Sequence, residues 1–229
     1  MAFLPVRARY DTVVVTCCCE VGEVRIIAGA WRGCRLTAPA KEVARPTTDR
    51  VKEAMFNLMG WDWSGGLAVD LFAGSGALGL EALSRGAEAA ILVDTDPRSL
   101  AAIRENVRRC RAEGRAQVWR MDWQLAWRKI ASSCAEVGWV FVDPPYRLDA
   151  WERVLAVLAM SPVTIRHGVV CEHPRARVLP DAVRGLSRVK HRAYGDIAVS
   201  IYRPVAGTGD SEEGRGDDGA AGRDLPGQL

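Results

Sequence analysis

Between Leu67 and Tyr202 the chain alternates short apolar runs of strand length with longer segments in which apolar residues recur every three to four positions. Leu67 to Phe72 reads as a first buried strand, Ala77 to Arg85 as its helix, Ala89 to Val93 as a second strand, and Pro97 to Cys110 as a second helix with Pro97 at the first helical position. The unit then repeats: Ala116 to Arg120 is a strand, Trp123 to Ala131 a helix, Trp139 to Val142 a strand, Ala150 to Ala159 a helix, and Gly168 to Cys171 a fifth strand. Leu186 to Ala193 and Ile197 to Tyr202 follow as two more strands, and the tight Gly195-Asp196 turn between them makes the pair antiparallel. Upstream, Val24 to Ala28 and Arg35 to Thr37 read as a small hairpin turned through Trp31-Arg32-Gly33. A helix begins after it at Pro46, Thr47, Thr48 and Asp49, with Glu53 placed to support the cap and Val51, Met55 and Leu58 on one face. The pattern predicts an α/β fold: a seven-stranded, mostly parallel sheet with an antiparallel edge hairpin, and a small N-terminal β-hairpin plus helix in front of it.

Composition narrows the class. With 229 residues, 48% hydrophobic and 26% charged, the chain can bury a full core and needs no disulfide or metal staples. No uncharged stretch reaches the roughly 18 apolar residues of a membrane span. Val13 to Cys19 is apolar, but Asp11, Glu20 and Glu23 flank it and no small-residue cleavage pattern follows, so it is not read as a secretion signal. The seven cysteines, three of them adjacent at Cys17, Cys18 and Cys19, show neither a disulfide framework nor paired C-x-x-C spacing, and Cys171 with His173 is not read as a metal site. Reduced thiols in a cytoplasm, and no metal, are the expectation. Residues 205 to 229 hold six acids (Asp210, Glu212, Glu213, Asp217, Asp218, Asp224) against Arg215 and Arg223, so this tail carries −4 and the rest of the chain +7. Rich in glycine and poor in large apolar residues, residues 205–229 are expected to be a disordered acidic tail. The basic body suits a polyanionic partner. Arg104, Arg108, Arg109, Arg111 and Arg115 form a basic cluster that reads first as a solvated helix face and second as a contact to nucleic-acid backbone. Trp119, Trp123 and Trp127, spaced by four, suggest a packed helix face.

Two motifs carry chemistry. Asp70-Leu71-Phe72-Ala73-Gly74-Ser75-Gly76-Ala77-Leu78-Gly79 is a G-x-G-x-x-G turn between a predicted strand and helix, where glycines let backbone approach a ligand closely. Asp94 follows Gly74 at the end of the next strand, placed for a ribose hydroxyl pair, which fits a dinucleotide and S-adenosylmethionine alike. Asp70, ending its strand before Gly74, is unfavourable beside pyrophosphate and attractive to the ammonium of a methionine moiety, although a strand-ending Asp can also simply cap a turn. The second motif is Asp143-Pro144-Pro145-Tyr146, directly after a strand and hence at the carboxyl edge of the sheet. Two prolines aim the Asp143 carboxylate and the Pro144 carbonyl as acceptors for an exocyclic amine, and Tyr146 offers a ring on which a base can stack.

These residues resemble the class I S-adenosylmethionine-dependent methyltransferases, and more narrowly the bacterial 16S rRNA (guanine-N2)-methyltransferase family of the RsmD type. The resemblance rests on Arg25 to Gly29, Trp31-Arg32-Gly33, Arg45 to Glu53, Phe56-Asn57, Asp70 to Gly86 and Asp143 to Tyr146, and spans roughly residues 24 to 203. It implies a Rossmann-like methyltransferase domain over 61–204, with residues 24–60 closing over the site. The implied reaction is S-adenosylmethionine-dependent methylation of a guanine N2 in 16S rRNA, in assembled small subunits, by a cytoplasmic monomer. It also implies that Phe72, Ala73, Gly74, Ser75 and Gly76 pack on the cofactor, Asp70 faces its methionine end and Asp94 holds its ribose. Asp122 meets the adenine amine in that reading, with a helix cap as its plain alternative. Arg45, Thr47, Thr48 and Arg50 sit where the family closes over cofactor and target base, while Arg50 and Lys52 read equally well as a solvated helix face. Residues 1–23 lie outside the resemblance and are expected to be an over-long start assignment with Val24 as initiator, which peptides from that stretch in cell extracts would refute. Three other readings compete. An N6-adenine DNA methyltransferase wants a separate target-recognition domain, a non-catalytic assembly factor has no need of either motif, and an NAD enzyme wants an acid or base partner for hydride chemistry.

Overall fold

A computed structural model describes residues 24–39, 49–60 and 66–205. The expected N-terminal extra segment, the acidic tail beyond Val205, and Arg45, Thr47 and Thr48 lie outside the described residues. Among the described residues ten strands and five α-helices follow in chain order: β1 (Val24–Arg25), β2 (Arg35–Leu36), α1 (Asp49–Met59), β3 (Leu67–Asp70), α2 (Ala77–Arg85), β4 (Ala89–Asp94), α3 (Pro97–Arg109) and β5 (Ala116–Arg120). After these come α4 (Trp123–Ser133), β6 (Glu136–Val142), α5 (Trp151–Ala159), β7 (Thr164–Pro174), β8 (Ala182–Val183), β9 (Leu186–Tyr194) and β10 (Ile197–Pro204).

The main sheet has the order β5-β4-β3-β6-β7-β10-β9-β8. The five strands from β5 to β7 run parallel, and β10 enters antiparallel between β7 and β9. The seven expected strands are present, and the two-residue β8 adds an eighth at the edge by pairing with the start of β9. The strand order reverses between β3 and β6, which share a parallel register with Asp70 beside Phe141. That reversal is the crevice where open α/β sheets bind ligands.

Each face of the sheet is covered. One core joins α1, α2, α3 and the hairpin to Phe141, Val170, Val199 and Ile201. The other joins α4 and α5 to Val69, Val140, Val142 and Cys171. Fully buried Phe56 of α1 meets Phe141 of β6 at 5.7 Å between rings, and burial of such a side chain contributes about 2 kcal/mol.

Two sequence expectations need correction. Trp119 lies in β5 and not on the helix that carries Trp123 and Trp127, because helical spacing across a strand end has no geometric meaning. Lys52 is buried and not on a solvated face, whereas Arg50 is exposed. Strands β6 and β7 begin earlier than their apolar runs, and their polar beginnings are joined across the sheet by the Glu136–Arg166 ion pair.

Candidate active site

The glycine loop leaves β3 held through three of its amides. The Ala73 amide donates to Val93 O at 2.9 Å, the Gly74 amide to Asp94 Oδ2 at 2.9 Å, and the Gly76 amide to Ala73 O. Gly74 and Gly76 have φ of 55° and 81°, a left-handed backbone that side-chain-bearing residues seldom adopt, and this lets the loop turn into α2 within three residues. Asp94 spends one lone pair on Gly74 and one on the Asp96 amide at 2.8 Å, which fixes its carboxylate at the rim and leaves acceptor capacity for a hydroxyl pair. These features fit a nucleoside cofactor.

Asp70 is 1% exposed, and its carboxylate accepts from the Phe72 and Gly79 amides beneath the loop. Burial pushes its pKa up to about 7, against the lowering effect of those two bonds, and nearby Asp94 adds to the rise. In these contacts it serves the turn. Asp122 caps α4, accepting the Gln124 amide at 2.8 Å, so the plain alternative for this residue is realised, with one carboxylate oxygen outside that bond. Phe72 leans on Trp123 at 6.3 Å between rings.

Asp143 follows Val142 at the end of β6. Because Asp70 of β3 lies beside Phe141 of β6, the glycine loop and the Asp143-Pro144 step leave adjacent strands side by side at the order reversal. Asp143 is half-buried, Pro144 buried, Pro145 exposed, and Tyr146 46% exposed. The turn beyond is braced. Leu148 N donates to Pro145 O at 2.8 Å, closing a 3₁₀ turn over Tyr146–Leu148, and Arg177 grips Asp149 and Glu152 at 2.8 Å each. Trp151 lies 6.0 Å from the Tyr146 ring and is fixed by its indole N–H to Glu172 O at 2.7 Å.

The hairpin is locked to α2 by a residue the sequence reading missed. Fully buried Glu81 accepts the Ile27 amide at 2.7 Å, the Ala28 amide at 3.0 Å and Arg85 Nε at 2.9 Å, and pairs with Lys52 Nζ at 3.2 Å. Lys52 also donates to Arg25 O, so α1, the hairpin and α2 meet at one carboxylate. Gly29 lies so close to α2 that a Cβ there would stand 1.9 Å from Ser84 O. Between the hairpin and α1 an open cavity of about 370 Å³ is lined by Arg25, Arg32, Asp49, Glu53 and Arg85, apart from the Gly74–Gly79 loop and the Asp143–Tyr146 turn.

Glu172 was also missed. It is 3% exposed in β7, one residue beyond the Cys171 that pairs with Val142, and so stands at the same sheet edge as Asp143. A lone acid inside the apolar run before His173 was the available signal. The basic cluster is largely engaged within the fold: Arg108 and Arg109 pair with Glu105, and Arg115 caps α2 through Leu83 O and Ala87 O. Among the described residues no group of three His, Cys, Asp or Glu could hold a metal ion, and no helix is long and apolar enough to cross a membrane.

Comparison with known proteins agrees with this geometry. The family model described as Conserved hypothetical protein 95 matches residues 24–203. The ribosomal RNA small subunit methyltransferase D of Escherichia coli strain K12 is 34% identical over 83% of this chain and 96% of its own length. A solved protein from Thermus thermophilus superposes with a TM-score of 0.67 at 32% identity, over 79% of this chain and 99% of that one. An RNA methyltransferase from Salinibacter ruber, solved with S-adenosyl-L-homocysteine, shares the fold at a TM-score of 0.53 and 18% identity, over 74% of this chain and all of that one. The fold is thus that of a methyltransferase, and this chain belongs to the Conserved hypothetical protein 95 family, that of ribosomal RNA small subunit methyltransferase D.

Proposed function

We propose that the chain methylates the exocyclic N2 of a guanine in 16S rRNA, using S-adenosylmethionine and acting on assembled small subunits in the cytoplasm. The observation that carries this reading is the register of β3 and β6, which sets the glycine loop and the Asp143-Pro144 acceptors next to one another. When bound, the cofactor supplies an electrophilic methyl group. The loop from Phe72 to Gly76 is shaped to lie against it, Asp94 to take its ribose hydroxyls and Asp70 to face its ammonium, while the free side of Asp122 suits the adenine amine.

A guanine N2 amine is conjugated with its ring and poorly nucleophilic. Acceptance of one hydrogen by Asp143 and the other by the Pro144 carbonyl favours the pyramidal amine, whose lone pair then points at the methyl carbon. Asp143 orients the amine and lies where its proton leaves, and Tyr146 stacks on a base turned out of its helix. Arg45, Thr47, Thr48 and Arg50 close over the base and its phosphates in this reading.

The test is transfer of labelled methyl from S-adenosylmethionine into small subunits lacking the modification, with naked rRNA and duplex DNA alongside, followed by nucleoside mass spectrometry. N2-methylguanosine from subunits, abolished by Asp143→Ala, is the expected result. Label in DNA adenine would identify an N6-adenine enzyme instead, and subunit binding with no transfer to any acceptor would identify an assembly factor.

A further inference from the structure

Beyond β10 the sheet continues into β9, whose residues 189–193 are exposed. Among the described residues nothing pairs with the outer edge of β9 over that stretch, because β8 pairs only with Leu186 and Ser187. Cross-strand register places the side chains. Lys190, Arg192 and Tyr194 lie opposite Ile201, Val199 and Ile197, three residues of the core that α1 joins, so they share the face on which α1 packs. Lys190 reaches α1 itself, donating to Leu58 O at 2.7 Å.

On that face Val199 also lies opposite Glu172 of β7, one residue past the Cys171 that pairs with Val142. Asp143 just past β6, then Glu172, Val199 and Arg192 thus form one row across four adjacent strands, and three strand spacings set Arg192 about 14 Å from the Asp143 backbone. Arg175 follows the last residue of β7 at the same edge of the sheet, its amide donating to Asp196 O in the β9–β10 turn at 2.7 Å. Arg175 and Arg192 are exposed, and neither meets a carboxylate among the described residues; the Arg192 guanidinium donates to the carbonyl of His191 at 3.0 Å. By contrast Arg98, Arg108 and Arg166, also exposed, each pair with an acid. The acids of this corner do not neutralise it, since Glu172 is buried and Asp196 forms no ion pair with either arginine.

We propose that Arg175 and Arg192, with Lys190 beside them, form a ledge that holds the phosphates of the RNA strand flanking the methylated nucleotide. The proposal rests on the rRNA reading given above. A base turned out to reach Asp143 leaves its sugar-phosphate chain outside the pocket, and that chain must run across one side of the mouth. The row from Asp143 to Arg192 leads from the reacting amine to cations that the fold leaves without acids. Guanidinium groups take phosphate oxygens two at a time, and the open edge of β9 presents unpaired backbone amides beside them. Such contacts carry no base information; they fix where the strand lies and so which nucleotide meets Asp143.

Charges on an open strand edge also keep it from pairing with another chain, and the experiment separates the two roles. Binding of the fluorescently labelled full chain to small subunits lacking the modification, and to naked 16S rRNA, is read by anisotropy over a range of salt. Arg175→Gln/Arg192→Gln is compared with Arg128→Gln/Arg166→Gln, which removes two charges from α4 and from the opposite end of β7. Expected for the first pair is about tenfold weaker binding to both RNAs at about 0.1 M salt, and a slope of log affinity against log salt shallower by about 1.4, the counterion release of two phosphate contacts on a single strand. The second pair keeps the wild-type slope. Equal losses in both pairs would make net charge the cause, and a loss on subunits alone would make a ribosomal protein the partner; either overturns the ledge. Wild-type affinity in Arg175→Gln/Arg192→Gln also overturns it, and new self-association of that variant would then show that the charges only guard the edge. Failure of the wild type to bind subunits or naked rRNA would instead defeat the rRNA reading, and the ledge with it.

Discussion

Asp70 is a carboxylate that the fold buries beneath a turn. Its contacts beneath the loop are those of a turn, yet its burial holds the pKa near 7, so near neutrality it is poised between forms. In the free protein the native state keeps a proton that the unfolded chain has already released between pH of about 4 and about 7, so this group's contribution to stability falls as pH rises through that window. On the proposed reading, in which Asp70 faces the cofactor's ammonium, binding favours the ionised form, and affinity for S-adenosylhomocysteine is expected to rise about tenfold between pH 6 and pH 8. Calorimetry across that range checks this, with Asp70→Asn as control: the slope disappears in the variant if Asp70 faces the ammonium, and persists if Asp70 only serves the turn. Asp122 shows the limits of a motif, since a cap and a ligand contact ask for the same residue at the same place.

Among the elements, the hairpin departs furthest from expectation. Ile27 and Ala28 continue the apolar run of β1, but the strand stops at Arg25 because their amides turn to the Glu81 carboxylate. That carboxylate lies on α2, 54 residues away from Ile27, and no local pattern announces it. By contrast α2 and β5 match their sequence reading end for end, since each is set by local apolar periodicity between sharp breakers. The latch makes a prediction for α1. Lys52→Met leaves Glu81 buried with Arg85 and two amides but without its second cation, and is expected to lower unfolding free energy by about 3 kcal/mol, read by chemical denaturation. An unchanged midpoint would mean that Arg85 alone neutralises the site.

At the scale of the whole molecule, charge and topology act separately. The basic body and the acidic stretch from Val205 onward oppose each other, and removal of residues 205–229 takes the formal net charge from +3 to +7. Faster methyl transfer to subunits at low salt is expected from that truncation, converging on the full chain toward roughly 0.5 M salt, where screening acts within a few ångströms. Equal rates at low salt would show that the tail's charge does not reach the RNA.

The alternation of strands and helices, the antiparallel Gly195-Asp196 hairpin, and the two motifs at the ends of β3 and β6 were legible along the chain, because turn chemistry and apolar period are local properties. The sequence could name Asp70, Gly74, Asp94 and Asp143, whose backbone surroundings are written next to them. Folding in three dimensions was needed to bury Asp70, to pair Lys52 with Glu81 internally, to set Glu172 at the edge with Asp143, and to tie Thr37 to Ser75 through Asn106. Those residues are charged or polar in segments whose pattern gives no reason for them. Their reason lies in partners from distant parts of the chain, and a buried polar group is explained by the partner it meets and not by its neighbours in sequence.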